Sequence, residues 1–143
     1  MPTEPTPSIP ALPRDGHLLL RHHWPEIRRV VERAQRSSLH CALTTVAPDG
    51  SPHVTPVGTV FLRDDCTGWY YDAYTQALAH NLDANPQVCL MAVDAGRAFW
   101  LRSFLLGRFT SPPGLRLYGE VGPLRPATLQ ERAAVELRVR PTR

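Results

Sequence analysis

Between Pro25 and Arg36 the apolar residues Ile27, Val30, Val31 and Ala34 recur at helical spacing, while Glu26, Arg28, Arg29, Glu32 and Arg33 fill the opposite face. The pattern predicts an amphipathic helix with Pro25 at its first position, where a missing N–H would have had no partner anyway. From Leu39 the period shortens. Leu39 to Val46 reads as a strand, Pro48-Asp49-Gly50-Ser51 supplies hairpin-turn chemistry, and a second strand returns from His53 to about Leu62. Pro56 and Gly58 interrupt that strand, as expected at a sheet edge, at a bulge, or where a ligand approaches the backbone. Arg63 to Gly68 turns the chain, and Trp69-Tyr70-Tyr71-Asp72-Ala73 forms a short aromatic third strand.

Thr75 is placed to cap a helix from Gln76 to Ala84, with Leu78 and Leu82 on one face and Asn85-Pro86 as its stop. Gln87 to Val93 predicts a fourth strand. The apolar and aromatic segment from Arg97 to Leu106, with Arg102 at its centre, fits either a helix or an irregular strand. Pro112-Pro113-Gly114 forces a turn, Leu115 to Val121 alternates as a strand, Pro126 to Ala134 reads as a short helix and Val135 to Arg140 as a last strand. The result is a mainly β meander with short helices and no internal repeat. A chain of 143 residues fits one domain, here residues 17–143, preceded by a flexible Pro-rich tail over residues 1–16. With Arg143 so close behind the last element, the natural chain is expected to run on.

Charge and composition narrow the functional classes. The net charge is +3, yet all sixteen basic residues are Arg and they are scattered, whereas a surface that tracks phosphates needs clustered cations; no nucleic-acid partner is expected. No apolar stretch is long enough to cross a bilayer and no signal-like segment opens the chain, so a cytoplasmic protein with no membrane partner is expected. Cys41, Cys66 and Cys89 match neither a disulfide framework nor zinc spacing, which suits a reducing compartment. His17, His22 and His23 lie close together but lack a second cluster at ligand spacing, so no metal site is expected. Ser37, Ser38 and Ser111 lack a nucleophile-elbow frame, and Cys41 and Cys89 fall in strands, where inert thiols are common.

Three stretches, in order, carry a resemblance: Asp49 to Gly58 with its Thr55-Pro56-Val57-Gly58, Asn81-Leu82-Asp83-Ala84-Asn85-Pro86-Gln87-Val88, and Leu115-Arg116-Leu117-Tyr118-Gly119-Glu120-Val121. Together they resemble the pyridoxamine 5'-phosphate oxidase-like family of FMN-binding split β-barrels, over roughly residues 25–125. The resemblance implies a homodimeric split barrel with FMN held at the subunit interface, and a flavin-dependent oxidoreductase whose substrate is unknown. Thr55, Pro56, Val57 and Gly58 would then meet the ring edge through the backbone. Tyr71, Asp72 and Ala73 would line the ring or ribityl chain, and Thr75, Gln76 and His80 would stand near the phosphate. No catalytic residue is identified.

One departure from the family is plain. Where its helix carries a basic pair for the flavin phosphate, this chain has Ala77 and Leu78. Losing two charge-assisted contacts weakens binding by roughly 3–6 kcal/mol unless His80, Arg102, Arg108 or Arg116 supplies charge from elsewhere. The alternative is therefore a flavin-free split-barrel dimer that binds a small molecule or serves as a structural module; deazaflavin or haem in place of FMN is a third reading. Asp72 suits either a hydrogen bond to a ring N–H or a helix cap ahead of Thr75. His40 and His53, flanking the first hairpin, are open to solvent, a haem-like ligand or a flavin edge, a solvated or satisfied side chain being the simpler reading.

Overall fold

Trp24 fixes the opening of the fold. In the computed structural model, which describes residues 14–72 and 76–140, helix α1 runs from Arg14 to Ser38 and encloses Pro25 instead of starting there. Proline removes one hydrogen bond from a helix, and here the buried Trp24 beside it ties the turn down, its indole N–H donating to the Arg63 carbonyl at 2.6 Å. Further along, Val30, Val31 and Ala34 are buried, as the amphipathic pattern requires. The helix ends at Ser38, and Leu39 takes a left-handed φ of 65° that turns the chain into the sheet.

Strands β1 (Cys41–Val46), β2 (Pro52–Val57), β5 (Gln87–Val93) and β6 (Gly114–Glu120) form an antiparallel sheet in the order β2-β1-β5-β6. Strands β3 (Val60–Leu62) and β4 (Gly68–Tyr70) pair antiparallel in a second, two-stranded sheet. The single return strand expected from His53 to Leu62 is thus two strands in two sheets, separated at Gly58 and Thr59. The reason is local crowding: a Cβ on Gly58 would lie 2.9 Å from the Leu39 carbonyl oxygen, so only glycine lets the chain turn so close to that backbone. Pro52 and Pro56 face Val46 and Ala42 across the ladder. Ala47 donates to the Ser51 carbonyl just beyond, so both prolines occupy non-hydrogen-bonded pairs, where an N–H would point to the open sheet edge.

Register separates the two faces of the large sheet. Cys41, Leu43, Thr45, Leu90 and Ala92 point inward onto Val31 and Ala34 of α1 and onto Leu78 of helix α2 (Gln76–Ala84). Within this core the buried Asn81 amide donates to the Thr45 hydroxyl at 3.0 Å, so the two polar side chains satisfy each other. On the outer face a row formed by Val54, Thr44, Cys89 and Tyr118 runs across all four strands, with Val54 and Tyr118 exposed.

The segment left open between helix and strand is helix α3 (Arg97–Leu106), closed by Gly107 at φ 60°. Val135 to Arg140 is not a strand: helix α4 spans Leu129–Val139, starting three residues after the expected Pro126. Thr128 sets that start through a capping box, its hydroxyl accepting the Glu131 N–H at 3.2 Å while the Glu131 carboxylate accepts the Thr128 N–H at 2.9 Å. Two antiparallel sheets with helices around them agree with a split-barrel-like fold. Among the described residues no helix is long and apolar enough to cross a membrane.

Candidate functional site

The bend between β2 and β3 opens a cavity of about 690 Å³. Its floor is Pro56, Val57, Gly58 and Thr59, one wall is Tyr70 and Tyr71, and the other is Val135, Glu136, Val139 and Arg140 from the end of α4. A volume of this size, lined mainly by apolar groups with a few polar ones, is what small-molecule sites offer. The wall of tyrosines is held by backbone: Tyr71 donates its N–H to the Thr59 carbonyl at 3.2 Å, and the Thr59 hydroxyl donates to the Tyr71 carbonyl at 3.1 Å. β4 ends at Tyr70, so Tyr71 and Asp72 extend past the strand that was expected to include them.

Two polar groups stand out here, Tyr70 in the lining and Asp72 just past the lining residue Tyr71 in the chain. Burial, and secondarily the negative charge of Asp72, push the Tyr70 phenol above its ordinary pKa, so it stays protonated and able to donate. Asp72 has a carboxylate oxygen shut away from solvent with no hydrogen-bond partner among the described residues. A shielded acceptor without a donor is costly, and a ligand N–H or O–H is one way to satisfy it.

Of the residues singled out from the sequence, Pro56, Val57, Gly58 and Tyr71 come together in the cavity lining. Thr55 lies in β2 opposite Leu43, outside the lining, and Asp72 follows directly on Tyr71. Gln76 and His80 are exposed on α2 and do not line the cavity. Ala73 and Thr75 fall outside the described residues. Leu78, one of the two positions where a phosphate-binding cation was sought, belongs to the hydrophobic core, so a cation there would be buried among apolar side chains. His40 and His53 are exposed, sit beside Ser38 and Ser51, and are not among the residues lining the cavity. Among the described residues no group of three or more His, Cys, Asp or Glu stands where it could hold a metal.

The α4 wall was not foreseen. Val135 and Val139, four apart on one helix face, and Arg140 beyond them reach the cavity because α4 is pinned back against α1. Arg138 makes that joint: its guanidinium donates to both carboxylate oxygens of Glu32 at 2.9 and 3.1 Å, to the Gln35 side-chain oxygen at 2.9 Å and to the Val60 carbonyl at 2.6 Å. It also lies 3.9 Å over the Phe61 ring. Glu131, held by Arg125 and by Arg63 at 3.1 Å, fixes the other end of the helix.

For a phosphorylated flavin these residues fit the ring: tyrosines and prolyl and glycyl backbone lie together in the lining. For the phosphate they offer Arg140 at the cavity wall instead of a basic pair on α2.

Fold and cavity define a split-barrel-like protein with an aromatic-walled cavity. The family model described as pyridoxamine 5'-phosphate oxidase matches residues 24–141, and the chain belongs to that family. No curated protein matches. One solved structure, 23% identical, superimposes with a TM-score of 0.57 over 83% of this chain and 70% of its own. HutZ, the heme storage protein from Vibrio cholerae, is similar at 19% identity and a TM-score of 0.52, covering 80% of this chain and 74% of that one. Both likenesses are likenesses of fold.

Proposed function

We propose that the cavity between the β2–β3 bend, Tyr70-Tyr71 and α4 holds the ring of a flavin, FMN in first place, and that the protein is a flavin-dependent oxidoreductase. The observation that carries this reading is the meeting of Pro56, Gly58 and Tyr71 in one cavity, with Asp72 and its partnerless oxygen next to Tyr71 in the chain. Membership of a family that often binds flavin supports it. Pro56 to Thr59 and the tyrosines would hold the ring, Asp72 would accept from a ring N–H, and Arg140 would face the phosphate. A bound flavin supplies the redox step; the chain supplies shape, hydrogen bonds and exclusion of water. The outer sheet face, with Val54, Met91, Val93 and Tyr118 exposed, is the surface on which a second copy would dock to make a homodimer.

The rival is a flavin-free dimer that uses the same cavity for another small molecule, and Ala77 and Leu78 in place of cations favour it. Haem, the ligand in the name of HutZ, would have to be ligated from this cavity without a histidine, since none lines it. Titration of the purified chain with FMN separates the readings: a flavin visible spectrum retained through gel filtration, with a gain in thermal stability, is the expected result. A colourless protein whose stability ignores FMN sinks the proposal.

A further inference from the structure

Helix α3 is apolar on its outward side as well as its inward one, where a core helix keeps a polar side for solvent. It is tethered at its start: the Ala95 N–H donates to the Ser37 hydroxyl at 2.8 Å, the Trp100 indole donates to the Asp94 carbonyl at 2.7 Å, and Arg33 of α1 lies 5.9 Å from the Phe99 ring. Phe99, Trp100 and the buried Ser103 therefore face the protein. At 3.6 residues per turn the opposite side carries Leu101 and Leu105, with Phe104 beside them and Arg97 and Arg102 on the flanks. Leu101, Phe104 and Leu105 are 62%, 75% and 79% exposed, and Phe109 beyond the helix is exposed too.

The charge along this segment has one sign. From Ala95 to Phe109 the chain holds Arg97, Arg102 and Arg108 and no acid. A second copy docking here about a two-fold axis would bring arginine against arginine, with no carboxylate from the segment to offset it. An anionic surface with an apolar interior meets both features at once, the guanidinium groups taking the charge and the leucines and phenylalanine entering the acyl boundary. The face is convex, as an exposed helix side must be, which suits insertion into a bilayer surface better than capture of a peptide.

We infer that α3 is a membrane-surface docking helix, which brings the protein to anionic lipid by Arg97, Arg102 and Arg108 and holds it there by Leu101, Phe104 and Leu105. The expectation of no membrane partner rested on the absence of a spanning segment; lying on a bilayer needs none. The helix is tethered at its start to α1, which packs on the inner side of the sheet, and the inference does not depend on the flavin reading.

The test is flotation of the full chain with vesicles of phosphatidylcholine, with and without phosphatidylglycerol. The chain is expected to float only with the anionic vesicles and to be released as salt rises. Arg97→Gln and Arg102→Gln should each lower the partition roughly fivefold. Leu101→Glu with Leu105→Glu should abolish it with the circular dichroism unchanged, because both side chains already face solvent. If that double variant fails to fold, the arginine variants and the salt titration of the unaltered chain decide. Absence of flotation with anionic vesicles overturns the inference. So does flotation that ignores every substitution, or light scattering in which the leucine variant splits a dimer while the unaltered chain does not float.

Discussion

The side-chain amide of Gln35 pairs with both backbone groups of Val60: its NH₂ donates to the Val60 carbonyl at 2.8 Å and its oxygen accepts the Val60 N–H at 3.0 Å. A helix side chain thereby does for the first residue of β3 what a neighbouring strand would do, at a site where Gln35 is 5% exposed. Gln35→Leu leaves the Val60 N–H without a partner, while Arg138 still serves the carbonyl. The expected cost is about 1–3 kcal/mol, read from the midpoint of urea unfolding. A midpoint unmoved by the substitution would show that the pairing contributes nothing net.

Arg138 closes the same joint from α4, and the fork of its guanidinium reaches Glu32, Gln35, Val60 and the face of Phe61 together. An ammonium cannot reproduce that geometry. Arg138→Lys is therefore expected to behave nearly as badly as Arg138→Ala, with hydrogen exchange over residues 129–139 accelerating several-fold in both. Since α4 forms one wall of the cavity, ligand affinity should fall in step. Full rescue by lysine would argue that charge alone holds the helix.

The ends of α2 and β5 were legible because the sequence stops them chemically: Asn85-Pro86 cannot continue a helix, and the strand after it begins at once. α1 was misjudged at its start, since Pro25 looks like a first residue until the packing of Trp24 is known. α4 was misjudged for a different reason. Val135, Leu137 and Val139 alternate as a strand does, although Thr128 and Glu131 already spelled a capping box that settles the matter for a helix. At the site, Pro56, Gly58 and Tyr71 were visible as local breaks and aromatics. The α4 wall was not, because it is brought in by long-range partners of Arg138 that no local pattern encodes.

Glu131 supplies a pH signature. The hydrogen bond from Arg125, with the Thr128 N–H behind it, holds its carboxyl down from 4.5 to about 2. The folded value lies below the unfolded one, so its contribution is complete above about 4.5 and is lost as pH falls toward 2. Thermal melts taken through that window should show the native chain losing stability faster than Glu131→Gln. Parallel curves would remove Glu131 from the account of acid sensitivity.

Thiol chemistry should sort the cysteines. Burial pushes Cys41 up to about 11, with the Arg138 charge opposing and Glu32 adding to the rise, so at neutral pH it is a shielded neutral thiol. Cys66, in a turn at φ 64°, is partly exposed. A disulfide reagent added to the native protein is expected to modify Cys66 well before Cys41, which should react only at the rate of unfolding. Equal rates would mean that the strand opens far more readily than its burial implies.

The sharpest discrimination comes from Asp72, whose shielded carboxylate oxygen lacks a partner among the described residues. If the oxygen is there to receive a ligand N–H, the empty protein carries an unmet acceptor, and stability and binding should respond in opposite directions to its removal. Asp72→Leu is expected to stabilise the ligand-free chain by about 1 kcal/mol, since an unsatisfied buried polar group costs that much or more. The same change should weaken FMN binding at least tenfold. A variant that loses stability instead would make Asp72 a structural group, whose partner is another part of this chain, and the hydrogen bond to the ring would have to come from Tyr70 or from backbone.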